Sequence, residues 1–306
     1  MVQLVYNART MVSASDAALH RASRSGDTQL VRVLLDSGKT FPDCSNVDGI
    51  TPLMLACRGG HFETACALVN DGADVNARNI AGSSALLCAL ECGDRDSVVL
   101  LLREGASVNF RTKDGGSALL CAAERGLDWA IRMLLDCGAD RTATLNDGSD
   151  AVFLAAQNGH DSTVRLLLDA GCQIDTPRKD GATALWIAAQ CGEGRVVDVL
   201  ARRGAQDVPR RDGATGLFKA AHKGHQRVIE LLIEHALADV NLLSNGESAL
   251  HAAALFGHIE IVRILLREGA DSRLQNKHGE TALDLAEQMK YEKIVDLLRR
   301  NQQYYT

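Results

Sequence analysis

An all-α solenoid of about nine stacked helix–turn–helix units, with β-turn or hairpin tips between them, is the fold class this sequence predicts. Three observations carry it. The unit Asp180–Gly192, DGATALWIAAQCG, recurs in versions that begin near Asp48, Ala81, Asp114, Asp147, Asp212, Asn245 and His278, with a degenerate one near Ser15. One apolar anchor keeps the register, at Leu19, Leu53, Leu86, Leu119, Val152, Leu185, Leu217, Leu250 and Leu283, in steps of 33 residues, once 34 and once 32. A fixed period of this size marks stacked units rather than one closed core. Third, the chain is 46% hydrophobic but only 4% aromatic, which suits small interlocking helices.

Each recurring residue has a physical task. The start of the first helix falls on Thr51, Ser84, Ser117, Asp150, Thr183, Thr215, Ser248 and Thr281, all side chains whose oxygen accepts a free backbone N–H of the first turn. In the first unit that position holds Ala17, so the cap is expected to shift to Asp16 or Ser15. Three residues after the anchor stand nine alanines: Ala22, Ala56, Ala89, Ala122, Ala155, Ala188, Ala220, Ala253 and Ala286. Their invariance among the units points to a close helix contact. The helix is expected to end at Gly26, Gly60, Gly93, Gly126, Gly159, Gly192, Gly224 and Gly257, which suit a left-handed C-terminal turn. A second helix follows, with its stripe on Leu34, Leu68, Leu101, Leu134, Leu167, Leu200, Leu232, Leu265 and Leu298 and on apolar residues three before, such as Val98, Ile131, Val164 and Val262.

The period, the helix–turn–helix layout and the runs TPLM-LA at 51–56 and SALHAA at 248–253 resemble the ankyrin repeat family over about residues 15–300. The pattern departs in places. Pro52 is the only proline at its repeat position, the seventh repeat arrives one residue early, and the eighth carries HALADVN where GADVN is usual. The expected organisation is a flexible lead-in at 1–12, an N-terminal capping repeat at 13–45, seven repeats over 46–276, a C-terminal capping repeat at 277–300 and a frayed tail at 301–306. In the last repeat Lys290 replaces the glycine stop, and Glu287, Glu292, Lys293, Asp296, Arg299 and Arg300 suit a solvated end.

Catalysis needs a nucleophile and base, a metal cluster or a phosphate cradle in one place, and no residues are left over to make one. His20, His61, His160, His225, His251 and His258 belong to the repeat and are expected to tie neighbouring repeats together by hydrogen bonds. His222 and His225 lie three apart but lack a third ligand, so no metal is expected. DGG at 114–116 lacks the Lys and Ser/Thr of a phosphate loop. The chain therefore reads as non-enzymatic, with no cofactor. Its formal charge of −6 argues against general nucleic-acid binding. Nine single cysteines without a CxxC pair, and the lack of an N-x-S/T sequon, suggest reduced thiols. No apolar run of signal or membrane-spanning length is present. A cytoplasmic monomer is expected, with the nucleus left open.

What remains is surface. The ankyrin resemblance implies that partners lie in the groove formed by the turn tips and the first-helix face. The candidate cations are Lys113, Arg125, Arg178, Lys179, Arg210, Arg211, Lys219 and Lys223, with His222 beside them. Those of the sixth and seventh repeats are expected to share one patch, because packed helices stack roughly 10 Å apart. The fourth place of the helix-start run holds Leu87, Leu120, Phe153, Trp186 and Phe218. These form either an apolar ladder inside the stack or, at Phe153, Trp186 and Phe218, anchors for a partner. The DVN or SVN asparagines Asn76, Asn109 and Asn241 resemble sites that an asparaginyl hydroxylase modifies in ankyrin repeats. The other reading of them is structural, in which their amides support the turn.

Three functions fit. The first is a protein-binding scaffold or adaptor whose groove takes an acidic or mixed segment of one or more partner proteins. The second is a receptor for a phosphorylated small molecule or oligonucleotide, with Trp186 and Phe218 stacking a base. The third is a regulatory subunit that inhibits an enzyme by covering it.

Overall fold

The helix-start residues do what their chemistry suggests. Thr51, Ser84, Ser117, Asp150, Thr183, Thr215, Ser248 and Thr281 each accept, through a side-chain oxygen, the backbone N–H three residues on. The computed structural model describes residues 13–235 and 238–303. The lead-in at 1–12, Ala236 and Leu237 of the HALADVN run, and the last three residues of the tail lie outside the described residues.

Among the described residues, eighteen helices form nine pairs. The chain divides into two compact units between Asn146 and Asp147, inside a repeat's turn rather than at a linker. In the first unit the pairs are α1 Ala14–Ser25 with α2 Thr28–Asp36, α3 Pro52–Arg58 with α4 Phe62–Asn70, α5 Ala85–Cys92 with α6 Arg95–Arg103, and α7 Ala118–Glu124 with α8 Asp128–Asp136. In the second they are α9 Ala151–Gln157 with α10 Asp161–Asp169, α11 Ala184–Cys191 with α12 Gly194–Arg202, α13 Gly216–Lys223 with α14 Gln226–His235, α15 Ala249–Leu255 with α16 Ile259–Arg267, and α17 Ala282–Gln288 with α18 Glu292–Gln303. The tips are turns, with isolated antiparallel bridges at Arg78–Ser84 and Ser244–Glu247.

Within each unit, first helices pack on first helices and second helices on second helices. The nine alanines sit at these contacts and are buried. A short side chain there lets neighbouring backbones approach, and dispersion and area burial then accumulate over many small contacts. The eight stop glycines adopt φ between +68° and +84°. Lys290 takes the same left-handed turn at φ +59° without the glycine.

Three details differ from expectation. The first helix begins earlier than Ala17 suggests: Ser13 is its cap, accepting from Asp16 N, while the Asp16 carboxylate accepts from Ser13 N. This reciprocal pair satisfies two orphan donors at once. The last helix continues to Gln303, three residues past the expected boundary of the final repeat. In α2 the buried stripe is Val31 and Leu35, with Leu34 only half-buried.

Repeat histidines bridge neighbours within a unit. His20 Nε2 bonds Ile50 O at 2.9 Å and His61 Nε2 bonds Arg24 O at 3.0 Å. In the second unit His225 bonds Gln190 O at 3.2 Å, His251 bonds Glu280 O at 3.1 Å and His258 bonds His222 O at 3.3 Å. Each ring nitrogen donates to a backbone carbonyl of the neighbouring repeat.

Candidate partner-binding surface

The tips of the second unit are built by Asp-Gly turns. Asp147, Asp180 and Asp212 each accept the N–H two residues on, from Ser149, Ala182 and Ala214. This side-chain turn fixes the tip. Adjacent tips are then tied by backbone bonds, Lys179 N to Asp147 O at 2.9 Å and Arg211 N to Asp180 O at 3.1 Å. Lys179 and Arg211 are thereby placed on neighbouring tips, both exposed.

The other tip arginines are already engaged. Arg178 makes a two-pronged bond to Asp180, at 2.9 and 2.5 Å. Arg210 reaches the same carboxylate at 3.3 Å and Asp212 at 2.9 Å. The hydrogen bond from Arg178 holds the Asp180 carboxyl well below the usual carboxylate range, with help from the Arg210 charge. Both guanidinium groups also lie over rings, Arg178 5.2 Å from the Phe153 centroid and Arg210 4.7 Å from that of Trp186. Arg178 and Arg210, expected as partner-facing cations, are thus ion-paired within the tips rather than free. The runs RKDG and RRDG, with Arg two residues before the turn aspartate, carry a signal for this pairing.

Phe153 and Trp186 are 1% and 2% exposed, and the Trp186 indole N–H donates to Ala214 O at 2.9 Å. They are packing residues, as the ladder reading expects, and Trp186 offers no face on which a base could stack. Phe218 differs. It is half-buried, carries Lys219 Nζ 5.6 Å from its ring centroid, and lies near His222.

His222 in turn packs against Phe256, with ring centroids 4.2 Å apart. Its Nδ1 is buried without a hydrogen-bond partner. Burial, then the charges of Lys219 and Lys223, push its pKa below the ordinary histidine value. Phe256 is 44% exposed and Met289, one repeat on, 46%. Both stand one residue before the helix stop, a place held by Ser25, Gly59, Cys92, Arg125, Asn158, Cys191 and Lys223 elsewhere. Sequence reasoning did not single them out as anchors, although an apolar residue at this otherwise mostly polar place is a readable signal. Among the described residues, Lys179, Arg211, Lys219 and Lys223 form no ion pair.

Lys113 and Arg125 belong to the first unit, where both are exposed. Lys113 N donates to Ala81 O at 2.9 Å, in the same tip-to-tip pattern. The three asparagines do cross-repeat work. Asn76 accepts from Ser107 N at 2.8 Å and donates to Gly105 O at 3.1 Å. Asn109 does so with Asp140 N and Gly138 O, and Asn241 with Asp271 N and Gly269 O. Each amide uses both ends, which accounts for asparagine at these positions without any modification.

Comparison with known proteins agrees with this architecture. A family model of ankyrin repeats (three copies) matches residues 2–79, 77–144, 119–212 and 217–306. The runs FRTKDGG, FLAAQ and ALWIAAQ look like ankyrin repeat domain-containing protein 29. The Danio rerio form of that protein is 44% identical over 59 residues, 19% of this chain and 20% of that protein. The Homo sapiens form is 44% identical over 55 residues, 18% of each. The ankyrin repeat and KH domain-containing protein mask-1 of Caenorhabditis elegans is 41% identical over 68 residues, 22% of this chain and 3% of that protein. The chain thus covers a fifth or less of the length of each of these relatives. The family match spans nearly the whole chain, and the caps, stops and packed alanines repeat along it: the chain belongs to the ankyrin repeat family.

Proposed function

We propose that this chain is a non-enzymatic scaffold or adaptor that holds an acidic segment of a partner protein against its second unit. Ankyrin repeats generally mediate protein–protein interaction. The observation that carries the reading is one cluster: the exposed Phe256 with its ring tilted against His222, and Lys219 and Lys223 one helical turn apart beside them. An exposed aromatic ring flanked by unpaired cations suits a partner that brings carboxylates around an apolar side chain, because aromatics and charge-complementary rims dominate binding at protein interfaces. Lys179 and Arg211 extend the charge along the tips. Nine free cysteines suit a reducing compartment, and the cytoplasm is the proposed one. Hydroxylation of Asn76, Asn109 or Asn241 is a separate proposal: a +16 Da shift on their peptides from cells supports it, and unmodified peptides at full coverage remove it.

The test is affinity capture with mass spectrometry, comparing wild type with Lys179→Glu, Arg211→Glu, Lys223→Glu combined and with Phe256→Ser. A partner bound by wild type and lost by both variants, each with an unchanged thermal midpoint, supports the reading. Equal capture by all three proteins removes the surface from consideration. If the partner is an enzyme whose activity falls on binding, the adaptor is a regulatory subunit.

A further inference from the structure

The second-helix side of the second unit carries an open groove of about 670 Å³. Its cations are all arginine: Arg165 from α10, Arg195 and Arg202 from α12, and Arg227 from α14. Asp161 and Asp198 are its carboxylates. The lining therefore carries four positive and two negative charges, a net of +2, on a chain whose formal charge is −6.

Gly194, the first residue of α12, opens the groove. Its φ is not in the left-handed region, so the backbone does not require glycine. A Cβ there would meet only Arg227 Cγ at 3.7 Å and Leu231 Cδ1 at 3.9 Å, both ordinary contacts. Other second helices begin with Thr28, Phe62, Arg95, Asp128, Asp161, Gln226, Ile259 and Glu292. Glycine at this one helix start leaves empty the space that a side chain fills elsewhere.

The arginines are held loosely. Arg165 pairs with Asp161 at 3.8 Å, Arg202 with Asp198 at 2.7 Å and Arg227 with Glu230 at 3.0 Å, each on its own helix and at least half exposed. Pairs of this kind contribute little and yield readily to a better anion. Arg195 forms no ion pair among the described residues. At Asp198, Arg202 at 2.7 Å and the His235 ring at 3.7 Å flank the carboxylate from two helices, and the Arg202 hydrogen bond, then the Arg165 charge, favour its ionised form.

We infer that this groove binds a phosphorylated segment of a partner protein, with a phosphoserine or phosphothreonine seated over Gly194 among Arg195, Arg165 and Arg227. Guanidinium forks match the oxygens of a phosphoryl group in pairs, which an ammonium does not. A phosphate also complements the excess of positive charge on the lining.

The test follows arginine Nε–Hε signals of the full chain by NMR while a seven-residue phosphoserine peptide of otherwise glycine and alanine is added. The same peptide with serine, and inorganic phosphate alone, are run in parallel. Saturable shifts of Arg195 and Arg227 with the phosphopeptide, at least tenfold weaker with the serine peptide and with free phosphate, support the inference. Arg195→Gln should weaken binding at least tenfold. Gly194→Leu should do the same without changing charge, and its thermal midpoint verifies folding. Equal binding of the serine peptide, free phosphate binding as tightly as the phosphopeptide, or unchanged binding by folded Gly194→Leu overturns it.

Discussion

Asp207 stands ten residues before the anchor Leu217, as Asn76 and Asn109 stand ten before Leu86 and Leu119. Its carboxylate does another job. It accepts from Gly216 N at 2.6 Å and Leu217 N at 2.9 Å, adding a second cap to α13 beside Thr215. Gly216 makes this possible, since a Cβ there would lie 2.8 Å from Asp207 Oδ1 and 3.1 Å from Ala189 Cβ. Gly216→Ala should therefore destabilise the second unit by about 1–2 kcal/mol through overpacking and the displaced cap, although alanine favours helix by about 1 kcal/mol. A denaturant midpoint equal to or above wild type would contradict this. Ala188→Leu, at a buried helix contact, should cost about 1–3 kcal/mol, read the same way. Asp180 gives a pH signature. Its folded pKa lies below the unfolded 3.8, chiefly through the Arg178 hydrogen bond, so its contribution is present above pH 3.8 and lost as pH falls through the folded value. Asp180→Asn should cost about 1 kcal/mol at pH 7 for this partly exposed network, with the difference from wild type shrinking as the pH is lowered below 3.8.

At the scale of the helix pair, stops and caps set the boundaries. Seven of the eight first helices from α3 to α17 end with glycine in the left-handed turn that follows; the last uses Lys290 at φ +59°. A non-glycine residue there costs roughly 1 kcal/mol. Lys290→Gly should thus raise the opening free energy of α17 and α18 by about 0.5–1 kcal/mol, less the entropy glycine loses on ordering. Amide hydrogen exchange at Val295 and Leu298 is the readout, and faster exchange would count against it. The elements themselves were largely legible. Caps at Thr51 to Thr281, buried alanines and glycine stops are local, and each unit repeats the same physical problem and solution. Ser13 escaped because the end repeat solves that problem with a different residue, one turn earlier.

For the whole chain, the binding surface was less legible than the fold, because it depends on which charges find partners. Runs of arginine and lysine look alike in sequence, yet Arg178 and Arg210 are neutralised by Asp180 and Asp212 while Lys179 and Arg211 are not. Trp186 reads equally as anchor or core until Ala214 O is found opposite its N–H. The place of Phe256 before the helix stop is readable in the sequence, but its contact with His222 is not. That contact leads to a test of binding. Burial first, then Lys219 and Lys223, hold His222 below its ordinary pKa of 6.5, which disfavours the protonated ring in the free protein. Carboxylates of an acidic partner would offset the lysines and favour the protonated ring. Binding then takes up a proton, and by linkage affinity must rise as pH falls through the range between the free and bound values. Isothermal titration of the captured partner should show tighter binding at pH 6.0 than at pH 7.5. Heats measured in two buffers should reveal the proton uptake. His222→Gln should flatten the profile while leaving the thermal midpoint near wild type. A pH profile of opposite slope, or one unchanged by His222→Gln, would move the acidic partner away from His222 and leave Phe256 as a purely apolar contact.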